Sequence, residues 1–279
     1  MEISMGFIAD VIKTIFLGII QGITEWLPIS STGHLLIFNS IWPMLPNEFF
    51  DVFKVVIQFG SILAVIFLYW HRLNPWDGRK NEKQKKRTFN LWLKVLIGCI
   101  PAGVFGLIIN DLIDSVLSAN FVIAVTLIAY GIIFIVVEKH PKKATIKNIE
   151  SMDYLTALKI GFFQCLALIP GTSRSGATIL GGLYSGCTRT LSSEYSFFIA
   201  IPTMAGASLL KIVKYVHVNG MFPMSQLFLL LLGTFISFVV SLFAIRSLIN
   251  YVKKHDFTVF GYYRIVLGIL VLLLFYVLR

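Results

Sequence analysis

Two polar stretches interrupt otherwise apolar sequence and hold most of the side chains able to do chemistry. Residues 21–34 read QGITEWLPISSTGH and residues 170–178 read PGTSRSGAT. In the first, Gln21 and Glu25 are four apart and share a helix face. Ser31 and His34 are three apart and can face one way, with Ser30 and Thr32 beside them. The second carries Thr172, Ser173, Arg174, Ser175 and Thr178, and Gly171 and Gly176 permit close backbone approach. A guanidinium binds phosphate oxygens bidentately, and a carboxylate with an amide can hold a divalent cation through oxygen. Serine or histidine serves as nucleophile or proton carrier. The set suits phosphoryl transfer. Plainer roles compete: Ser30, Ser31 and Thr172 as N-caps, Gln21 and Gln164 as polar glue, Glu25 with Arg174 as a structural ion pair. Carboxylate and guanidinium at membrane depth are nevertheless functional candidates by default.

Membrane depth follows from composition. The chain is 57% hydrophobic and 14% charged, with mean hydropathy +0.81, well outside the range of soluble domains. Apolar runs at about 52–70, 91–110, 117–137, 194–216, 225–247 and 259–278 are long enough to span. Nothing in the first residues resembles a cleavable signal peptide, so none is expected. The net charge of +10 is concentrated between spans: residues 71–94 and 139–159 are rich in Lys and Arg, which marks both as cytoplasmic loops and argues against nucleic acid. Cys99, Cys165 and Cys187 lie in apolar segments without metal-ligand spacing.

The two polar stretches break apolar regions at 12–45 and 155–187. Arms of about 14 residues, some 21 Å of helix, are too short for a core of about 30 Å. Pro28 and Pro170 sit where a helix should stop. Both regions are therefore expected to be re-entrant. LGIIQGITEWLPISSTGH aligns with IGFFQCLALIPGTSRSGA, setting Gly18 over Gly161, Gln21 over Gln164 and Gly33 over Gly176. Each copy precedes three spans. The expected fold is an all-α integral membrane protein, one domain over 1–279. It has inverted-topology repeats (about 1–140 and 141–279), six transmembrane helices and two re-entrant half-helix pairs. The outer connections 46–50, 111–116 and 217–224 hold no Lys or Arg, so both termini are expected outside. Paired broken helices in inverted halves point to a site where their tips meet, an architecture transporters also use.

The sequence resembles the undecaprenyl-diphosphate phosphatase family of the bacitracin-resistance type. Gln21 and Glu25 match its (Glu/Gln)-x-x-x-Glu motif, followed by Ser-Ser-Thr-Gly-His at 30–34. Residues 170–178 match its Pro-Gly-x-Ser-Arg-Ser-x-x-Thr motif. The resemblance covers the whole chain. It implies a plasma-membrane enzyme that hydrolyses a C55 prenyl diphosphate lipid to the carrier monophosphate for cell-wall synthesis. It further implies a need for divalent metal, a site toward the outer face, and bacitracin resistance when the enzyme is in excess.

The expected division of labour assigns Arg174 to the diphosphate, with hydroxyls of Ser30, Thr32, Thr172, Ser173, Ser175 and Thr178 beside it. Glu25, with Gln21 as the weaker ligand, holds Mg²⁺ or Ca²⁺. Ser31 with His34 as proton acceptor is the first reading for the nucleophile, His34 itself the second, and a metal-bound water the third. Lys54 and Arg264, near ends of spans, are expected to snorkel. Lys211 and Lys214 could attract an anionic lipid. Oligomeric state is open, a homodimer included.

Overall fold

The computed structural model describes residues 5–44, 46–112 and 120–276. Their regular structure is helical apart from one isolated parallel bridge, Ile146 to Cys187. The helices are α1 (Met5–Thr24), α2 (Ser31–Ile41), α3 (Asn47–Leu68), α4 (Trp70–Leu73), α5 (Glu82–Leu112) and α6 (Asn120–Lys139). There follow α7 (Tyr154–Cys165), α8 (Arg174–Tyr184), α9 (Arg189–Asn219), α10 (Met224–Val252) and α11 (Thr258–Tyr276). Among the described residues, 7 helices are long and apolar enough to cross a membrane. The chain is a multi-pass all-α membrane protein.

The additional long helix is α1, the first arm of the first broken region. At 20 residues it is about 30 Å long, not the half-length expected. Asp10 and Lys13 are the charged residues within it. In the helix they pair, with Lys13 Nζ donating to Asp10 Oδ1 at 3.1 Å and to Pro43 O at 2.8 Å, so the helix runs on through them. The other arms, α2, α7 and α8, have 11, 12 and 11 residues, too short to span. Helices α5 and α9 continue beyond their apolar runs into charged sequence at Glu82 and Arg189. Most of the expected outer connection 111–116, and residues 277–278 of the last expected span, lie outside the described residues.

Helices pack across the two halves. The major pairs are α6 with α11, α3 with α10 and α9, α1 with α10, and α5 with α7. If α1 is matched to α7 and α5 to α10, exchanging the halves turns the α1–α10 pair into the α7–α5 pair. Small residues permit the closest of these contacts, as membrane helices lacking a hydrophobic drive require. A Cβ on Gly131 would stand 2.7 Å from Gly261 O, and one on Gly161 would stand 2.4 Å from Gly98 O. Between α3 and α10, Ser61 Oγ and Ser237 Oγ lie 2.8 Å apart, and Ser241 Oγ donates to Ser61 Oγ at 3.0 Å.

An ion pair buried on its carboxylate side ties the loop ends together. Glu138 receives Arg189 Nε at 3.0 and 3.1 Å, Arg189 Nη2 at 2.6 Å, and the Phe257 amide at 3.1 Å. Arg189 is partly exposed, so the Coulombic gain is damped by solvent. Glu138→Gln is expected to cost about 1–3 kcal/mol. Thermal unfolding in detergent measures it, and an unchanged Tm would mean the pair only decorates the corner.

Candidate active site

Both tips rebuild their helices in the same unusual way. Ser30 and Ser173, matched in the internal alignment, both have φ 72° and are the non-glycine residues with positive φ among those described. Such a backbone is costly for an L-residue. Each serine recovers part of that cost as an N-cap: Gly33 N donates to Ser30 Oγ at 3.3 Å, and Gly176 N to Ser173 Oγ at 3.2 Å. The first turns of α2 and α8 thus begin at the break, where helix N-termini attract anions.

Glu25 joins the tips. Its Oε2 accepts from Gln21 Nε2 at 2.9 Å and from Ser31 Oγ at 2.7 Å, and its Oε1 accepts from Arg174 Nη2 at 3.2 Å. Arg174 is held further by Ser196 O, which accepts from Nη1 at 2.7 Å. Its guanidinium carbon lies 5.6 Å from the centroid of the buried Trp26 ring. Ser175 Oγ stands 3.0 Å from Glu25 O and 3.2 Å from Leu27 O, docking α8 against the first tip. A carboxylate, a hydroxyl and a guanidinium distant in sequence are thereby bonded in one chain.

These groups open into a cavity of about 170 Å³. Glu25, Ser30, Ser31 and Thr32 line it from the first tip, and Gly171, Ser173 and Arg174 from the second. The other expected phosphate ligands face elsewhere. Ser175 is spent on the first tip. Thr178 Oγ1 bonds Ser196 Oγ at 2.7 Å within the helix packing, and Thr172 is fully buried outside the lining. Gln58 of α3 and Met204 of α9 also line the cavity. Gln58 was legible as an amide inside an apolar run but carries no motif.

His34 is not bonded to Ser31. Its Nδ1 lies 2.7 Å from Ser30 O and its Nε2 2.7 Å from Tyr263 Oη, with the ring stacked on Tyr263 at 5.6 Å. A carbonyl only accepts, so Nδ1 carries the proton and Nε2 accepts from the tyrosine. The group that accepts a hydrogen bond from Ser31 is the Glu25 carboxylate, so the Ser31–His34 contact expected from their spacing is not made. Arg264 is likewise corrected: it is fully buried rather than snorkelling. Lys54 pairs with Asp51 near the start of α3.

The donor set can be weighed against a divalent cation. No group of three or more His, Cys, Asp and Glu side chains lies together among the described residues. A hard cation that takes most of its ligands from phosphates and water needs only one or two carboxylates, and Glu25 at the cavity wall fits that. Gln21 fits less well: its Nε2 donates to Glu25 and it does not line the cavity, although its buried Oε1 has no hydrogen-bond partner among the described residues.

A multi-pass helical membrane protein with a buried Glu–Ser–Arg constellation facing a small polar cavity is built to act on an anionic group at membrane depth. The model of the family described as bacitracin resistance protein BacA matches residues 14–270. The chain belongs to that family. It is 50% identical over 266 residues to the undecaprenyl-diphosphatase of Latilactobacillus sakei subsp. sakei (strain 23K), covering 94% of this chain and 97% of that one. It is 51% identical over 270 residues to undecaprenyl-diphosphatase 1 of Clostridioides difficile (strain 630), covering 96% and 97%.

Proposed function

We propose that this protein hydrolyses undecaprenyl diphosphate to undecaprenyl phosphate and phosphate in the bacterial plasma membrane. That reaction recycles the lipid carrier for cell-wall synthesis and counters bacitracin. Near-complete coverage of relatives bearing that name supports the substrate. The observation that carries the chemistry is the 2.7 Å bond from Ser31 Oγ to Glu25, with Arg174 on the other carboxylate oxygen.

The terminal phosphate enters the cavity between the N-termini of α2 and α8. Arg174 turns its guanidinium to the phosphate oxygens, helped by the hydroxyls of Ser30, Thr32 and Ser173. Ser31 Oγ attacks the terminal phosphorus as Glu25 takes its proton, and the bond from that phosphorus to the bridging oxygen breaks. The lipid monophosphate leaves with the bridging oxygen, which takes up the proton from Glu25. Water then attacks the phosphoserine as Glu25 takes one of its protons and passes it to Ser31 Oγ, and phosphate is released. A divalent cation, Mg²⁺ or Ca²⁺, held by Glu25 and the diphosphate would neutralise phosphate charge. The site faces the outer side with both termini outside, a placement supported by the Lys- and Arg-rich loops around 71–94 and 139–159.

Phosphate release from C55 diphosphate by purified protein in detergent, with Mg²⁺, Ca²⁺ or EDTA, tests this. Metal-dependent release is expected, and Ser31→Ala should abolish it while leaving the protein folded. Release by Ser31→Ala within tenfold of wild type would pass the attack to water. No release by folded, lipid-binding wild type would point to transport of the same lipid.

A further inference from the structure

Arg264 of α11 is fully buried, and its two terminal nitrogens are shared between the two tips. Nη1 donates to Pro28 O at 3.0 Å and Nη2 donates to Gly171 O at 2.9 Å. Pro28 belongs to the first break, and Gly171 lines the cavity in the second. A Cβ built on Gly176 would lie 3.5 Å from Nη1, which sets the guanidinium beside the first turn of α8.

Among the described residues no carboxylate answers the charge of this group. Arg72, Arg174 and Arg189 each meet a carboxylate, on Glu194, Glu25 and Glu138. Arg264 meets two neutral carbonyls and the face of Tyr130, and its Nε has no hydrogen-bond partner among the described residues. An arginine stays charged when buried, and a buried charge without a counter-ion is costly. Glu25 cancels Arg174, so the tips carry one cation in excess. Through Gly171, which it bonds, this excess charge borders the cavity, which can take in an anion.

We propose that Arg264 is a positioning residue that locks the two tips together and whose unanswered charge makes the cavity prefer a diphosphate to a monophosphate. It rests on the function proposed above and adds to it: substrate would be held and product, with fewer negative charges, released. A structural staple alone would account for the two carbonyl bonds but not for the absent carboxylate.

The test uses full-length protein in detergent, with inorganic pyrophosphate and inorganic phosphate as competing ligands. Wild type should bind pyrophosphate about tenfold or more tighter than phosphate. Arg264→Lys, which keeps the charge, should retain most of that ratio. Arg264→Gln should collapse it and raise KM for the lipid diphosphate more than it lowers kcat. A glutamine variant with the wild-type ratio and only a lowered Tm would leave a staple and overturn the proposal, as would a lysine variant that fails to restore the ratio. Should the glutamine variant not fold, wild type decides, because equal binding of the two anions overturns the proposal by itself. Wild type that releases phosphate yet shows no preference sinks this inference alone. Wild type that neither binds pyrophosphate nor releases phosphate sinks the proposed function as well.

Discussion

Glu25→Gln loses turnover by about 10³-fold or more while its folded fraction still binds lipid. The substitution keeps shape and removes charge. Ser31 Oγ, now bonded to the carboxylate at 2.7 Å, faces a neutral amide that cannot take its proton. Arg174, paired at 3.2 Å, loses the carboxylate it meets and joins Arg264 as a second unanswered cation. Breaking a buried pair from one side costs about 3–5 kcal/mol, so the ligand-free variant should also unfold at lower temperature. Inorganic pyrophosphate, supplying the missing negative charge, should recover part of that Tm. Turnover and thermal unfolding on one preparation separate the two effects. Activity within tenfold of wild type would remove Glu25 from the chemistry.

The sequence revealed the tips more fully than the helices that hold them. Proline and glycine punctuation marked both breaks. Matching Gly33 with Gly176 also brings Ser30 over Ser173, and those two serines share the same positive φ. The meeting of Glu25 and Arg174, 149 positions apart, was legible because two costly charges at membrane depth favour each other's company. What stayed hidden depends on packing. Hydropathy gives a residue's depth, not the direction it faces. Arg264 therefore read as a snorkelling end-of-span charge until the close contact of α11 with α6 turned it inward. Spacing put Ser31 and His34 on one face but did not reveal Tyr263, which takes one imidazole nitrogen while Ser30 O takes the other. Hydropathy also ends where the membrane ends, although a helix need not. Hence α1 and α5 outrun the apolar segments that announced them.

Gly171→Ala should be nearly as damaging as loss of Glu25, although no functional group is removed. Gly171 has φ +87°, and a Cβ there would stand 2.2 Å from Thr126 Oγ1 and 2.7 Å from Ile123 O. The first contact cannot yield cheaply. Thr126 Oγ1 is bonded to Pro170 O at 2.8 Å, so the atom in the way is one that secures the tip. Backbone strain of about 1 kcal/mol adds to overpacking of about 1–3 kcal/mol, and the chain escapes both by moving residues 170–173. That movement pulls Gly171 O from Arg264 and shifts Ser173 and Arg174 against Glu25. A displacement of about 1 Å at a reacting centre costs about 10²-fold, so kcat/KM should fall by at least that much with a clear loss of Tm. Gly186→Ala is the control. It has a comparable φ of +84°, but its nearest contact is Thr145 Oγ1 at 3.3 Å, at the corner joining α8 to α9. The control should lose stability and keep most of its activity per folded molecule. Equal activity losses in the two variants would mean that the tip tolerates displacement and that the tie through Arg264 is dispensable. Loss confined to Gly171→Ala would mean that the spacing between the tips, set by a glycine and a buried arginine, governs catalysis as closely as the carboxylate does.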